Sequence, residues 1–283
     1  MASFTNFATL SYNGGTTNSN IVTGEILEAL TAVKTAVSAN YSAGDRITYA
    51  LSLVNTGTAA VTDYTVTDNL GGYTVGANTV YPLAYNAGTV RYYINGVLQA
   101  APTVTAGPPL TVTGLTVPAG GSAVLIYETT ATPVAPLATG SSITNTATIT
   151  GGGLTTPITA QATVDTANSA ELSISKALSP TTVTENGQIT YTFVISNTGN
   201  TEATATGNVV VTDTFAPILR NIAVTYNGTA WTEGTNYTYS AATGVFTTLA
   251  GQITVPAATF TQNTDGTFTV TPGTATLVIT GTV

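Results

Sequence analysis

The chain has 283 residues, of which 43% are hydrophobic and only 6% charged, with a net charge of −8. That length fits about two domains, and the acidic balance excludes nucleic acid as a partner, since phosphate binding needs clustered Lys and Arg. Neither Cys nor His is present, which excludes disulfides, thiol chemistry, Cys/His metal sites and His-dependent triads.

The first predicted element is a hairpin with a duplicate further on. Phe4-Thr5-Asn6-Phe7-Ala8-Thr9-Leu10 matches Ile143-Thr144-Asn145-Thr146-Ala147-Thr148-Ile149, and each copy is followed by a Gly-Gly turn and a Thr-Thr pair. Gly24 to Ala39 has some helical composition but reads as strand, because its repeat counterpart is strand-like. Beyond it, short Val/Ile/Thr/Tyr runs alternate apolar with polar residues and are punctuated by Gly, Asn and Pro. This pattern predicts an all-β fold of two tandem immunoglobulin-like β-sandwiches.

The sandwiches are read from an internal repeat. Asp45-Arg46-Ile47-Thr48-Tyr49 returns as Gly187-Gln188-Ile189-Thr190-Tyr191, and Asn55-Thr56-Gly57 as Asn197-Thr198-Gly199. Val66-Thr67-Asp68 returns as Val211-Thr212-Asp213, Asn95-Gly96 as Asn227-Gly228, and Leu125-Ile126 as Leu277-Val278. The expected organisation is an N-terminal donor hairpin (1–26), a first sandwich complete in itself (27–168), and a second (169–283) that lacks its closing strands. Asp165-Thr166-Ala167-Asn168-Ser169 is the short polar linker between the sandwiches.

These motifs resemble the bacterial surface repeat family catalogued as domain of unknown function 11. The resemblance rests on a first-strand Lys, a Gly-x-x-(Ile/Val)-Thr-Tyr strand, Asn-Thr-Gly, Val-Thr-Asp and a closing Thr-Asn-x-Ala-Thr strand, and it covers nearly the whole chain. It implies an immunoglobulin-like fold in surface proteins and fimbriae, and some related domains form intramolecular Lys–Asn isopeptide bonds. The departure from a simple array is the second unit, which has no closing strand of its own.

The only two lysines, Lys34 and Lys176, occupy equivalent repeat positions. Strand side chains alternate between faces, so Lys34 shares a face with Leu30, Ala32 and Ala36, and Lys176 with Leu172, Ile174 and Leu178. The same alternation turns Asn145 inward with Ile143, Ala147 and Ile149, and groups Asn6 with Phe4, Ala8 and Leu10. Asp68 falls with Tyr64 and Val66, and Asp213 with Val209 and Val211. An inward Lys, Asn and Asp are the parts of an isopeptide bond: burial favours a neutral amine as nucleophile, and a buried acid can polarise the amide and shuttle protons.

The first unit would join Lys34 to Asn145 with Asp68 assisting. The second would join Lys176 to Asn6 of another copy with Asp213 assisting. A buried Lys–Asp ion pair with a hydrogen-bonded Asn and no covalent bond fits the same pattern. Tyr49 and Tyr191 read as core tyrosines and Trp231 as hairpin packing.

No calcium-loop spacing, phosphate loop or other cofactor motif is found, and no apolar run approaches the length of a membrane span. No basic region followed by an apolar stretch marks a secretory signal. The leading expectation is an extracellular or cell- or spore-surface fibre subunit that polymerises head to tail with itself, Phe4, Asn6, Ala8 and Leu10 forming the donor strand. The alternatives are a monomeric surface adhesin or carbohydrate-binding module, with the hairpin folded back on its own second domain, and a piece of a longer repeat protein. Catalysis with turnover is not expected.

Overall fold

The structure, a computed structural model, describes residues 2–26 and 29–283. The expected start of the first sandwich at residue 27 lies outside the described residues. Strands Val22–Ile26 and Leu30–Ala36 occupy the segment whose composition was helix-like, in agreement with the strand reading.

The first sandwich has two six-stranded sheets. In one, Leu30–Ala36 pairs with Arg46–Asn55, which pairs with Ser122–Ala131, followed by Arg91–Ile94 and Val97–Leu98. In the other, Val61–Asp68 lies between Leu110–Val117 and Ser142–Gly151, and Ile158–Thr166 follows Ser142–Gly151. Strict alternation drives this layering: every second residue of Ser122–Ala131 is buried and the intervening ones are half-buried. Leu51, Leu53, Tyr64, Val112, Leu125 and Ile149 meet between the sheets in one core. At roughly 1.5–3 kcal/mol per large side chain, that burial outweighs any local preference of the Leu30–Ala36 sequence for helix.

The second sandwich repeats the first sheet but not the second. Leu172–Ser179, Gln188–Asn197, Gly273–Thr282, Arg220–Tyr226 and Thr229–Trp231 form a five-stranded sheet. Among the described residues, the facing layer has three short strands, Thr212–Thr214, Val245–Thr248 and Tyr237–Tyr239. Its core is built on Phe193, Ile195, Phe215, Phe246, Leu277 and Ile279. Trp231 stacks on Tyr226 at 4.8 Å, as hairpin packing requires.

The turn chemistry follows the sequence. Asn95-Gly96 and Asn227-Gly228 have positive φ at both residues, as the tight hairpin turn that favours Asn-Gly demands. Each Asn-Thr-Gly motif forms a corner. Asn197 Nδ2 donates to the carbonyls of Thr201 and Pro256, while its Oδ1 accepts from the amides of Glu171 and Gly199. Asn55 donates to the carbonyls of Ala59 and Val117 and accepts from Gly57 N–H.

A hairpin of Thr259–Gln262 and Phe268–Thr271 has no counterpart in the first unit, where the tight Pro118-Ala119-Gly120-Gly121 segment joins the equivalent strands. It reaches the first sandwich, where Gln262 Nε2 donates to Tyr73 Oη at 2.9 Å. Asn200 ties the units at a second point by donating to the carbonyls of Leu137 and Ala167.

The N-terminal arm is separate from both cores. Ala2–Asn6 pairs with Val22–Ile26, and Thr9–Tyr12 with Gly15–Asn18, in two two-stranded sheets. Every residue from Phe4 to Thr23 is exposed. This differs from a hairpin folded back onto the second sandwich.

Candidate functional site

In the first unit, the alternation of Leu30–Ala36 turns Lys34 into the core. Its Nζ lies 2.5 Å from Asp68 Oδ2, with side-chain exposures of 0% and 1%. Burial pushes the Lys34 amine down to about 8, partly opposed by the charge and hydrogen bond of Asp68. The ring centroids of Tyr49 and Tyr127 lie 4.8 Å and 5.9 Å from Nζ, and the two rings stack on each other. Asp68 is held from two further directions. Leu70 N–H donates to Oδ1 at 2.9 Å, and the Tyr127 hydroxyl donates to Oδ2.

Asn145 completes the cluster. The Ser142–Gly151 strand pairs with Val61–Asp68 so that Ala147 stands opposite Asp68. Asn145, two residues along on the same face, is fully buried. Its amide lies near enough to Tyr49 and Tyr127 to counter, in part, the burial that raises both phenols. Yet neither Nδ2 nor Oδ1 of Asn145 has a hydrogen-bond partner among the described residues. A buried polar group without a partner costs about 1–3 kcal/mol, so this amide is a costly side chain for a packed core to retain.

In the second unit, the same geometry stands open. Lys176 Nζ pairs with Asp213 Oδ2, and the rings of Tyr191, Phe193 and Phe215 lie 4.5, 5.4 and 5.5 Å from Nζ. Thr214 N–H donates to Asp213 Oδ1. The alternation reading put Lys176, Leu172, Ile174 and Leu178 on an inward face. Lys176 does face Asp213, but its side chain is 40% exposed and the whole Leu172–Ser179 strand is solvent-accessible. The reason is the short facing layer. In the first unit Val61–Asp68 carries Ser142–Gly151 on its outer edge, whereas among the described residues no strand pairs with that edge of Thr212–Thr214.

The sequence-derived residues therefore fall into three groups. Lys34 and Asp68 pair in the core of the first sandwich, where Asn145 is also buried. Lys176 and Asp213 pair where the strand that carries the lysine is exposed. Phe4, Asn6, Ala8 and Leu10 stand in solvent on the arm, with Asn6 opposite Val22.

Tyr127 is the participant that sequence reasoning missed. It sits opposite Tyr49 across the sheet, and Ile279 holds the equivalent place opposite Tyr191. Comparing the two repeats therefore hides it. The signal available was an aromatic residue on the buried phase of a strand that crosses a lysine.

Fold and site together define a protein of two immunoglobulin-like sandwiches, one with buried Lys, Asp and Asn side chains and one with a solvent-exposed Lys–Asp pair. No family model matches the chain, and no curated protein matches it. Among solved structures it is similar to the major pilin subunit of Bacillus cereus, at 14% identity and a TM-score of 0.36, over 96% of this chain and 73% of that one. It is also similar to the pilus backbone protein of Streptococcus pneumoniae, at 13% identity and a TM-score of 0.36, over 86% of this chain and 55% of that one. A C-terminal fragment of the major pilin of Streptococcus agalactiae is similar at 12% identity and a TM-score of 0.36, over 56% and 67%. The chain thus spans little more than half of the Streptococcus pneumoniae structure.

Proposed function

We propose that this chain is the subunit of a self-assembling extracellular fibre, in which the N-terminal hairpin of one copy fills the open groove of the second sandwich of the next. One contrast carries the reading. The Ile143–Ile149 face is buried in the first sandwich, while its sequence duplicate, the Phe4–Leu10 face, is exposed and, among the described residues, no strand pairs with the equivalent edge in the second sandwich.

Transferring the first unit's register sets Ala8 opposite Asp213 and Leu10 opposite Val211, with Asn6 directed at Lys176. Burying Phe4, Leu10 and their neighbours would contribute on the order of 5–10 kcal/mol. Association costs of 4–15 kcal/mol are of similar size, so strand addition alone is marginal and a covalent lock decides permanence. A head-to-tail contact of this kind does not close on itself and gives a filament.

The lock is an isopeptide bond. In the first unit, Asp68 takes a proton from the Lys34 ammonium, and the neutral Nζ attacks Asn145 Cγ. The new C–N bond forms as the carbonyl oxygen becomes an oxyanion. Asp68 delivers its proton to Nδ2 and relays a second from the attacking nitrogen. The Cγ–Nδ2 bond breaks and ammonium leaves, with Asp68 again a carboxylate. The unpaired amide of Asn145 supports this reading, because the reaction consumes the group that the core leaves unsatisfied. In the second unit, Lys176 and Asp213 would act in the same way on Asn6 of the arriving hairpin. Docking would supply both the electrophile and the dry surroundings that an exposed lysine lacks.

Purified protein should form filaments by electron microscopy and a ladder on a gel after boiling in detergent. Lys176→Ala and Asn6→Ala should each abolish the ladder. A monomer band for the native chain, with no filaments under mild conditions, would sink the fibre reading.

A further inference from the structure

We infer that the Tyr49 hydroxyl is the hydrogen-bond donor that stabilises the oxyanion as Lys34 attacks Asn145. The inference rests on the isopeptide reading of the first unit and names a group that the lysine–aspartate–asparagine set does not supply.

Attack on an amide places negative charge on the carbonyl oxygen, and a buried site stabilises it only with a donor already aimed at it. Asp68 must deliver the proton it takes from Lys34 to the leaving Nδ2, and its two oxygens are already engaged by Lys34, Tyr127 and Leu70 N–H, so a separate donor to the oxyanion is needed. The backbone groups nearest the Asn145 side chain are in use: Asn145 pairs with Ala162 across the sheet, and Thr146 N–H donates to Asn69 Oδ1. Among the described residues, the buried side-chain polar atoms without a partner are few, and three of them belong to the lysine cluster: Tyr49 Oη, whose ring lies 4.8 Å from Lys34 Nζ, and Asn145 Oδ1 and Nδ2. The cluster thus holds an unused phenol donor and an unused amide acceptor, and Tyr49 and Asn145 are both fully buried.

Tyr127 is less suited to the oxyanion because its hydroxyl is already given to Asp68 Oδ2. It holds the acid in place and acts as a positioning residue. The two phenols also differ across the repeat. Tyr49 is matched by Tyr191 over Lys176, whereas Tyr127 is matched by Ile279. The element common to both lysine sites is the tyrosine on the central strand, so its hydroxyl is the group expected to serve both bonds.

A structural role for Tyr49 predicts something different. Its hydroxyl has no partner, so removing it relieves a buried unsatisfied group and does not weaken the fold. Tyr49→Phe keeps the ring beneath Lys34 and deletes only the oxygen.

The test is a pulse–chase of freshly synthesised full-length chain, with the bond read by intact mass as the loss of one ammonia and the site assigned by peptide mapping. Native protein should become fully bonded. Tyr49→Phe should bond about 10²-fold more slowly, the usual effect of losing one oxyanion donor. Its thermal midpoint in an Asn145→Ala background, where no bond forms, should be no lower than that of Asn145→Ala alone. A Tyr49→Phe chain that bonds at the native rate, or is already fully bonded at the first time point, overturns the inference. Slow bonding accompanied by a lowered midpoint in the Asn145→Ala background also overturns it, because the ring site would then be merely structural. Native chain that never loses ammonia overturns the isopeptide reading itself, a separate and recognisable outcome.

Discussion

Lys34 and Lys176 hold the same place in the two sandwiches and each pairs with an aspartate, yet the first is sealed in the core and the second is open to water. The difference lies in the facing layer. Ser142–Gly151 and Ile158–Thr166 cover the first lysine, and the described residues supply no such pair over the second. The exposed arm carries a near-copy of the first covering strand and the turn that follows it.

The buried amine gives the first unit a pH signature when the bond is blocked. Its folded value, about 8, lies below the ordinary 10.5. Between those values the unfolded chain binds more protons than the folded one, so stability rises with pH across that window. Tyrosines raised by burial act in the opposite sense above their ordinary value near 10, so the clean range is pH 8 to 9.5. Urea unfolding of Asn145→Ala, compared with Asn145→Ala/Lys34→Met, should show about 1–2 kcal/mol of stabilisation over that range, present only when Lys34 is retained. A flat difference between the two variants would contradict a buried, partly desolvated lysine.

Gly24 shapes the arm. It stands opposite Phe4, and a Cβ there would come within 2.4 Å of the Phe4 ring. Gly24→Val should push Phe4 off the donor face and slow filament growth at least about tenfold, since a misplaced large apolar anchor loses more than 1.4 kcal/mol. Light scattering during assembly reads this directly, and unchanged growth would remove Phe4 from the donor surface.

Asn197 is a corner rather than a reactive group. Asn197→Ala leaves the carbonyls of Thr201 and Pro256 and the amides of Glu171 and Gly199 without their side-chain partner. The expected loss is about 2–4 kcal/mol by denaturant unfolding, with no effect on bonding at Lys34.

Within one copy, the Thr259–Gln262/Phe268–Thr271 hairpin acts as a strut. Gly266 approaches Val80 so closely that a Cβ would lie 2.8 Å away, and its φ of +88° disfavours any side chain. Gly266→Val together with Gln262→Ala should loosen the joint between the sandwiches, seen as a broader interdomain distance distribution by small-angle scattering. An unchanged distribution would mean that Asn200 alone fixes the joint.

Much of this was legible because sandwich strands write their facing in alternate residues. Period-two reading turned Lys34, Asp68 and Asn145 inward correctly, and the repeat matched Asn95-Gly96 to Asn227-Gly228 as turns. The same reading could not give burial at Lys176, because burial depends on whether another layer arrives, and alternation within one strand carries no such information. Tyr127 escaped for a related reason. Its hydroxyl meets Asp68 across the core from a distant strand, and the repeat partner, Ile279, removes the comparison that exposed the lysines. The Thr259–Thr271 strut is an insertion, so the repeat offered nothing to align it with.

In the proposed fibre, the arm of one copy bonds to Lys176 of another. Chains grown in ordinary and in 15N medium, mixed as denatured monomers and refolded together, would test it most directly by mass spectrometry of the boiled, digested polymer. The account predicts a Lys176–Asn6 cross-linked peptide containing one light and one heavy half. Recovery of that peptide only in all-light and all-heavy forms, or its absence from boiled material that still shows a ladder, would contradict it.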